Sequence, residues 1–299
     1  MTDAGQDGLV SIIMATRNRP ESLRRTLETI FRQSYNNFEI IVVDDGSEQD
    51  ILLAKSFPNM KSIHQEHMGA NMARNHGFTH SCGKFLFFCD DDVRLQNNFL
   101  EKMVQALRTN PDKAYTYCGF EIDGKVAGME PFNSERLRKN NYISGISLIR
   151  RSRFPGFDPS IKRLQDWDLW LTMLENGFEG VLVPNVLFST TRENKPNITD
   201  DSNPNGWTYK HAHMVVSRKH EKTNAAEALW TIASIYDLRS DLQKTFPEAK
   251  RGDYTRMIDW AYNVVTGKIF DDSKKDLTKH EDYFKKMRAS NQRTRYETD

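Results

Sequence analysis

Three adjacent aspartates, Asp90, Asp91 and Asp92, follow a short apolar run in the stretch KFLFFCDDDVRLQ, residues 84–96. Neighbouring carboxylates repel one another, so the triplet needs something positive or strongly hydrogen-bonding in front of it. A hard divalent cation meets that need. It takes oxygen ligands, keeps positions open for substrate phosphates, and is commonly held by one or two carboxylates. Asp90 and Asp92 are therefore candidate ligands for Mg2+ or Mn2+. If the strand runs on through the triplet, its pleat puts Asp90 and Asp92 on one face about 7 Å apart and Asp91 on the other. A cap on the helix beginning near Gln96 accounts for one carboxylate, not for three at the end of so apolar a strand.

Two further acidic stretches have types and spacing suited to chemistry. In VVDDGS, Asp44 or Asp45 is placed to accept from a base N–H or from ribose hydroxyls, as acidic residues do at strand ends in nucleotide folds. An Asp-Gly turn with Ser47 capping a following helix explains the same residues. In LQDWDLWLTM, Asp166 and Asp168 stand beside Trp167 and Trp170. A carboxylate against aromatic walls is partly desolvated, which raises its pKa and improves it as a base. A helix cap over core tryptophans is the competing explanation. The segment MATRNRP, residues 14–20, has no glycine-rich phosphate loop, and no G-x-G-x-x-G or P-loop pattern follows any strand. Phosphate charge then falls to a metal and to Arg17, Arg19 or Arg74, although Arg17 and Arg19 read equally well as solvated loop residues.

The elements that must position these residues alternate along the first half. LVSIIMAT (9–16), FEIIVVDD (38–45), MKSIHQE (60–66) and KFLFFCDDD read as strands. PESLRRTLETIFRQ (20–33), with Pro20 in its first turn and Leu23, Leu27, Ile30 and Phe31 at helical spacing, reads as a helix. So do residues 69–81 and 96–111. Alternation predicts parallel pairing in a doubly wound α/β sheet, whose ligands bind beyond the carboxyl ends of the strands. Both acidic clusters sit at such ends. After residue 112 the pattern predicts strands turning at Asp123-Gly124, a strand over 142–151, a helix over 165–178 stopped by Gly177, extended chain over 179–191, and a polar loop over 192–206. Beyond Trp207 the pattern is helical, an α-helical C-terminal extension.

Bulk composition narrows the classes. With 38% apolar and 28% charged residues among 299, the chain can bury a real core. Lys plus Arg (42) nearly balances Asp plus Glu (41), so no global basic field exists to hold nucleic acid. Cys82, Cys89 and Cys118 show no ligand spacing and suit a reducing compartment. The polar, acidic start MTDAGQDG does not resemble a secretory signal, and no apolar segment approaches the roughly 20 residues of a membrane helix. The expected location is cytoplasmic, with peripheral contact at the inner face of the cell membrane left open.

Taken together, VSIIMATRNRPESLRRTLETIFRQSYNNFEIIVVDDGS, GANMARNHGFTHSCGKFLFFCDDD and PGFDPSIKRLQDWDLWLTM resemble family 2 glycosyltransferases, in order and spacing, over roughly residues 9–200. The resemblance implies a GT-A fold, with a Rossmann-like, mostly parallel central sheet flanked by helices. It implies a domain over 1–206, with a nucleotide-sugar-binding half over 9–111 and an acceptor-side half over 112–206, followed by the extension over 207–299. Thr16, Arg17, Asn18 and Arg19 match the segment that contacts the nucleotide. Asp44, with Asp45 beside it, matches the residue that holds the base, commonly uracil. Asp90, Asp91 and Asp92 match the D-x-D region, whose last member meets the metal. Asp166 matches the general base. Ser144 and Gly145, with Trp167, match the acceptor side, and Arg192 matches a basic residue over the diphosphate. Two departures stand out. The family's Glu-Asp pair is Gln165-Asp166 here, and the missing charge should lower the pKa of Asp166 somewhat. Arg17 stands where tyrosine is frequent. His211 or His213, in YKHAHM, adds a weak candidate metal ligand.

The implied reaction is an inverting, metal-assisted hexosyl or N-acetylhexosaminyl transfer from a nucleotide-diphosphate sugar to a hydroxyl of a glycan, lipid-linked or protein-linked acceptor. Two alternatives share parts of the pattern. A sugar nucleotidyltransferase should carry a glycine- and arginine-rich loop after the first strand, which MATRNRPES lacks. A catalytically dead carbohydrate-binding scaffold has no need of Asp90, Asp92 and Asp166 together. The C-terminal helices are candidates for shaping the acceptor pocket, for a homo-oligomer, or for peripheral membrane contact.

Overall fold

The computed structural model describes residues 8–48, 57, 60–190 and 208–220. Within them the chain order is β1 (Val10–Thr16), α1 (Pro20–Ile30), β2 (Phe38–Asp45), β3 (Met60–Gln65), α2 (Ala70–Thr79), β4 (Phe85–Phe88), β5 (Val93–Leu95), α3 (Phe99–Thr109), β6 (Tyr115–Ile122), β7 (Lys125–Ala127), α4 (Ser134–Lys139), β8 (Leu148–Arg150), α5 (Gln165–Glu175), β9 (Gly180–Thr190) and α6 (Tyr209–His220). All described residues fall in one compact unit, Met1–Tyr236.

The sheet runs β3-β2-β1-β4-β8-β6-β9-β5, with β7 hairpinned on β6. The block β3-β2-β1-β4 is parallel throughout, so the ends of β1, β2, β3 and β4 open on one edge. Alternation along these strands sends side chains into two layers. Val10, Ile12, Met14, Ile40, Val42, Phe85 and Phe87 pack under α1 and α3, meeting Leu23, Leu27, Ile30, Phe99, Met103 and Leu107. Ile13, Ile41, Val43, Leu86 and Phe88 face the other layer, with Trp167 and Trp170 of α5 and Val215 and Val216 of α6. Both faces of β1, β2 and β4 are therefore covered, which is why these runs are continuously apolar. Each fully buried Leu, Ile or Phe contributes about 1.5–3 kcal/mol. The chain enters β4 through Gly83, whose N–H donates to Ser11 Oγ at 2.8 Å. A Cβ there would stand 2.7 Å from Leu9 O and from Ser11 N, so only glycine lets the two strands start this close.

Several expectations are corrected. The fourth strand ends at Phe88, and Asp90–Asp92 form a turn leading to the short β5. The strand expected over 142–151 is limited to Leu148–Arg150. Its first part folds on itself instead. Ser144 Oγ accepts from the Ile146 N–H at 3.1 Å, the Ser147 hydroxyl donates to Ser144 O at 2.7 Å, and the Ser147 N–H donates to Gly145 O at 2.9 Å. Serine-to-backbone bonds of this kind compete with a ladder. The helix α4 was not anticipated; Asn133 caps it by accepting from the Arg136 N–H at 2.9 Å. The extension expected beyond 207 is described only for α6, which packs on α5.

Candidate active site

The carboxyl edge gathers the acidic clusters and the arginines. Thr16, buried at the end of β1, donates its hydroxyl to Asp91 Oδ2 at 2.6 Å. Arg19 Nη1 lies 3.4 Å from both Asp91 Oδ1 and Asp92 Oδ2. Arg74 of α2 reaches across with Nη2 2.9 Å from Asp90 Oδ1, while its guanidinium lies 5.4 Å from the Phe157 ring centre. The triplet is thus split by a turn rather than by a strand pleat. Asp91 points inward with its side chain 8% exposed, whereas those of Asp90 and Asp92 are 48% and 27% exposed. Burial pushes Asp91 above the ordinary carboxylate range. Burial first, and then the charges of Asp90 and Asp91, push Asp92 up to about 6.

Arg17 and Asn18 lace the end of β1 to the turn after β2. Arg17 Nε donates to Gly46 O at 3.3 Å, the Asn18 N–H donates to Ser47 Oγ at 2.8 Å, and Asn18 Oδ1 accepts from the Glu48 N–H at 2.9 Å. Asn18 sits at φ 55°, a left-handed conformation that asparagine tolerates better than most residues. Asp44 and Asp45 are both buried, with different duties. Asp44 Oδ1 accepts from the Ser47 hydroxyl and N–H at 2.5 and 3.1 Å, and Oδ2 lies 3.0 Å from His64 Nδ1. Asp45 is held by Gln65 Nε2, His67 Nδ1, Met68 N and Gly69 N at 2.8–2.9 Å, which fixes the chain entering α2.

Asp166 lies in the first turn of α5, two residues after Leu164, which adopts φ 60°. Its Oδ1 accepts from the Trp167 N–H at 2.9 Å and its Oδ2 from Asn141 Nδ2 at 2.9 Å. Burial raises its pKa; the two hydrogen bonds oppose the shift, and the charge of Asp90 adds to it. The neutral neighbour Gln165 donates its side-chain amide to Lys162 O at 3.1 Å. Gly145 lies against Asp166, a Cβ there standing 3.4 Å from the Asp166 Cβ, and Ser144 forms the adjoining turn.

Trp167, expected on the acceptor side, is a core residue. It is 0% exposed, its Nε1–H donates to Leu137 O at 2.6 Å, and its ring lies 4.6 Å from that of His213. His211 belongs to α6, and among the described residues no three His, Cys, Asp or Glu side chains converge on a metal position, so His211 does not join Asp90 and Asp92. Arg192 and the loop 192–206 lie outside the described residues. Asp90 and Asp92 nevertheless suit Mn2+ or Mg2+. Both are part-exposed carboxylates, the oxygen type that such a cation takes alongside substrate phosphates.

Sequence reasoning missed Asn141, for which spacing offers no signal, and the role of Asp168. Asp168 is buried and bound by Lys219 Nζ and His220 Nε2, each at 2.8 Å, which fastens α6 to α5.

Residues 11–158 match the model of glycosyl transferase family 2. An uncharacterized glycosyltransferase of Haemophilus influenzae is 29% identical over 183 residues, 56% of this chain and 62% of that one, so this chain spans less than two thirds of that relative. The UDP-Glc:alpha-D-GlcNAc-diphosphoundecaprenol beta-1,3-glucosyltransferase WfgD of Escherichia coli is 28% identical over 182 residues, covering 57% and 71%. S. aureus TarS 1-349 in complex with UDP-GlcNAc has the same fold, with a TM-score of 0.59 at 16% identity over 82% of this chain and 77% of that one. Its parallel block, the acid turn at the block's carboxyl edge and the family match over those same strands agree: the chain belongs to glycosyl transferase family 2 and has the GT-A fold.

Proposed function

We propose that the chain is an inverting glycosyltransferase that moves a hexosyl or N-acetylhexosaminyl group from a UDP-sugar to a hydroxyl of a glycan, lipid-linked or protein-linked acceptor. The observation that carries this reading is the Asp90–Asp92 turn, met by Arg19 and Arg74, at the carboxyl edge of the parallel block within the residues matched to glycosyl transferase family 2. Asp44 and the Arg17–Asn18 loop bind the nucleoside, and Arg19 and Arg74 stand beside the acid turn where a diphosphate would lie. Asp90 and Asp92 would hold Mn2+ or Mg2+, which when bound supplies positive charge to the leaving diphosphate. Asp166 takes the proton of the acceptor hydroxyl as that oxygen bonds to the anomeric carbon. The bond from that carbon to the diphosphate oxygen breaks on the opposite face, so the centre inverts. The names of WfgD and the TarS complex support a UDP-sugar donor, and that of WfgD a diphospholipid-linked acceptor. Work at the cytoplasmic face of a membrane fits such an acceptor, and no helix among the described residues is long and apolar enough to cross one.

The test is hydrolysis of a UDP-sugar panel with Mn2+, together with calorimetric binding of UDP. Asp92→Asn should abolish the metal dependence. Asp166→Asn should lower turnover by about 10²–10⁴-fold and leave UDP affinity intact. Because the raised pKa of Asp166 leaves it protonated and inert in acid, the rate should fall along a limb above the usual carboxylate range. No UDP binding and no turnover across the panel would end this reading.

A further inference from the structure

Asn141 has no role in the family reading, yet it is the side chain that touches Asp166. Its placement is fixed from both sides. Trp167 Nε1–H holds Leu137 O at 2.6 Å and Trp170 Nε1–H holds Ile143 O at 3.0 Å, so two buried indoles of α5 bracket the segment that carries Asn141. His213 adds a ring-nitrogen contact of 3.1 Å to Lys139 O. The amide is thereby presented to the first turn of the helix that bears Asp166.

The orientation of the amide follows from chemistry. An ionised carboxylate only accepts, so the amide nitrogen must face Asp166 Oδ2 and the amide oxygen must face away. That oxygen, Asn141 Oδ1, is buried and has no hydrogen-bond partner among the described residues. An orphaned acceptor works against folding, and an apolar residue of similar size would avoid it. Among the described residues, the one hydrogen bond that the side-chain amide makes is with Asp166.

We infer that Asn141 is a positioning residue for the general base: its amide N–H pins Oδ2, the Trp167 N–H pins Oδ1, and the carboxylate keeps one lone pair aimed at the acceptor oxygen. This rests on the reading of Asp166 as the base. The neighbours that set the charge at Asp166 are the Asn141 amide, the Trp167 N–H and the negative Asp90; Gly145 packs there without a side chain. Gln165, the sequence neighbour, takes no part.

The inference is tested with Asn141→Ala and Asn141→Asp in the full chain, using UDP-N-acetylglucosamine and UDP-glucose with Mn2+ and water as the acceptor. Asn141→Ala should bind UDP as the wild type does; it removes the orphaned amide oxygen but also leaves Asp166 Oδ2 without its donor, so its melting temperature should fall by a few degrees at most. Its turnover should fall about 10- to 100-fold, the scale of a misplaced reacting group. The acid limb of its rate profile should move up by about one pH unit, because one hydrogen bond to the ionised form is gone. Asn141→Asp, close to isosteric, sets a second carboxyl against the first and should move the limb further in the same direction. It also carries the test if the alanine variant does not fold. A folded variant with the wild-type profile and rate overturns the role of Asn141 alone. A wild-type chain that neither binds UDP nor turns over any member of the UDP-sugar panel overturns the transferase reading, and this inference with it.

Discussion

Asp44 and Asp45 are adjacent, both acidic and both buried, and they should fail in different ways when changed. Asp45→Asn is the informative substitution. The carboxylate accepts four bonds, two on each oxygen, from Gln65, His67, Met68 and Gly69. Asparagine keeps one oxygen and turns an NH2 toward the other two donors. Of those, the half-exposed His67 ring can present its unprotonated nitrogen and accept instead. One backbone N–H at the start of α2 then remains orphaned, and the retained bonds lose their charge assistance. Leaving this half-buried donor without its partner costs about 1 kcal/mol, and weakening the remaining charge-assisted bonds brings the total to about 2–3 kcal/mol. At about 2–4 °C per kcal/mol for a unit of this size, the melting temperature should fall by about 4–12 °C. The urea midpoint should fall with it at an unchanged slope. UDP affinity, measured by calorimetry well below the melting range, should change less than about threefold, a difference under 1 kcal/mol. A variant as stable as the wild type that has lost UDP binding more than tenfold would refute the assignment of Asp45 to the scaffold.

Three other outcomes follow from the same reasoning. Lys219 sits between Asp158 and Asp168; burial opposes its charge, but the carboxylates win and raise its pKa, while burial of Asp158 is outweighed by the Lys219 and Ser160 hydrogen bonds, which lower that pKa. The depressed acid stabilises above about pH 4 and stops doing so as pH falls through its folded value, and the raised lysine stabilises until pH climbs past about 10, so Lys219→Met should cost about 2 kcal/mol between those limits and flatten both arms of a pH–stability profile. Trp167→Phe orphans Leu137 O and should cost about 1–3 kcal/mol in urea unfolding with UDP affinity unchanged. Gly83→Ala meets backbone atoms of Leu9 and Ser11 and should destabilise by about 1–3 kcal/mol or more; an unshifted urea midpoint would show that the β1–β4 entry gives way freely.

The parallel block was legible because β1, β2 and β4 are covered on both faces and so read as unbroken apolar runs, while the edge strand β3 is half-exposed and polar; β2 covers Phe38–Asp45, the residues the pattern marks. Position at the strand ends likewise singled out Asp44, Asp90 and Asp92, whereas Asp166 drew attention at a helix start beside Trp167 and Trp170. What the pattern could not convey is competition from short-range polar bonds. Residues 142–147 precede the apolar Leu148 and Ile149 and read with them as one strand, but Ser144 and Ser147 bond to neighbouring backbone and the ladder never forms there. Trp167 beside Asp166 suggested a wall of the site; helical geometry turns neighbouring residues about 100° apart, and the indole goes to the core. Asn141 was invisible, since its partner lies 25 residues away.

The acid turn is fastened by distant chain. Thr16 binds Asp91 from 75 residues earlier, while Thr190, paired with Val93, donates its hydroxyl to Asp92 O at 3.4 Å from 98 residues later. Such separations make folding slow, because loop closure must precede the contacts that reward it. On a ribosome adding about 5–20 residues per second, Asp92 waits roughly 5–20 s for Thr190. For the earlier part of that interval, until Leu148–Arg150 is made, Phe85–Phe88 has β1 on one side only, and its other edge is able to pair with another nascent chain. The aspartates that follow it have then a second use, as the charges that keep an unfinished strand from aggregating. Neutralising all three should therefore lower the yield of soluble protein made in cells, even where a chain refolded from denaturant at high dilution recovers its structure.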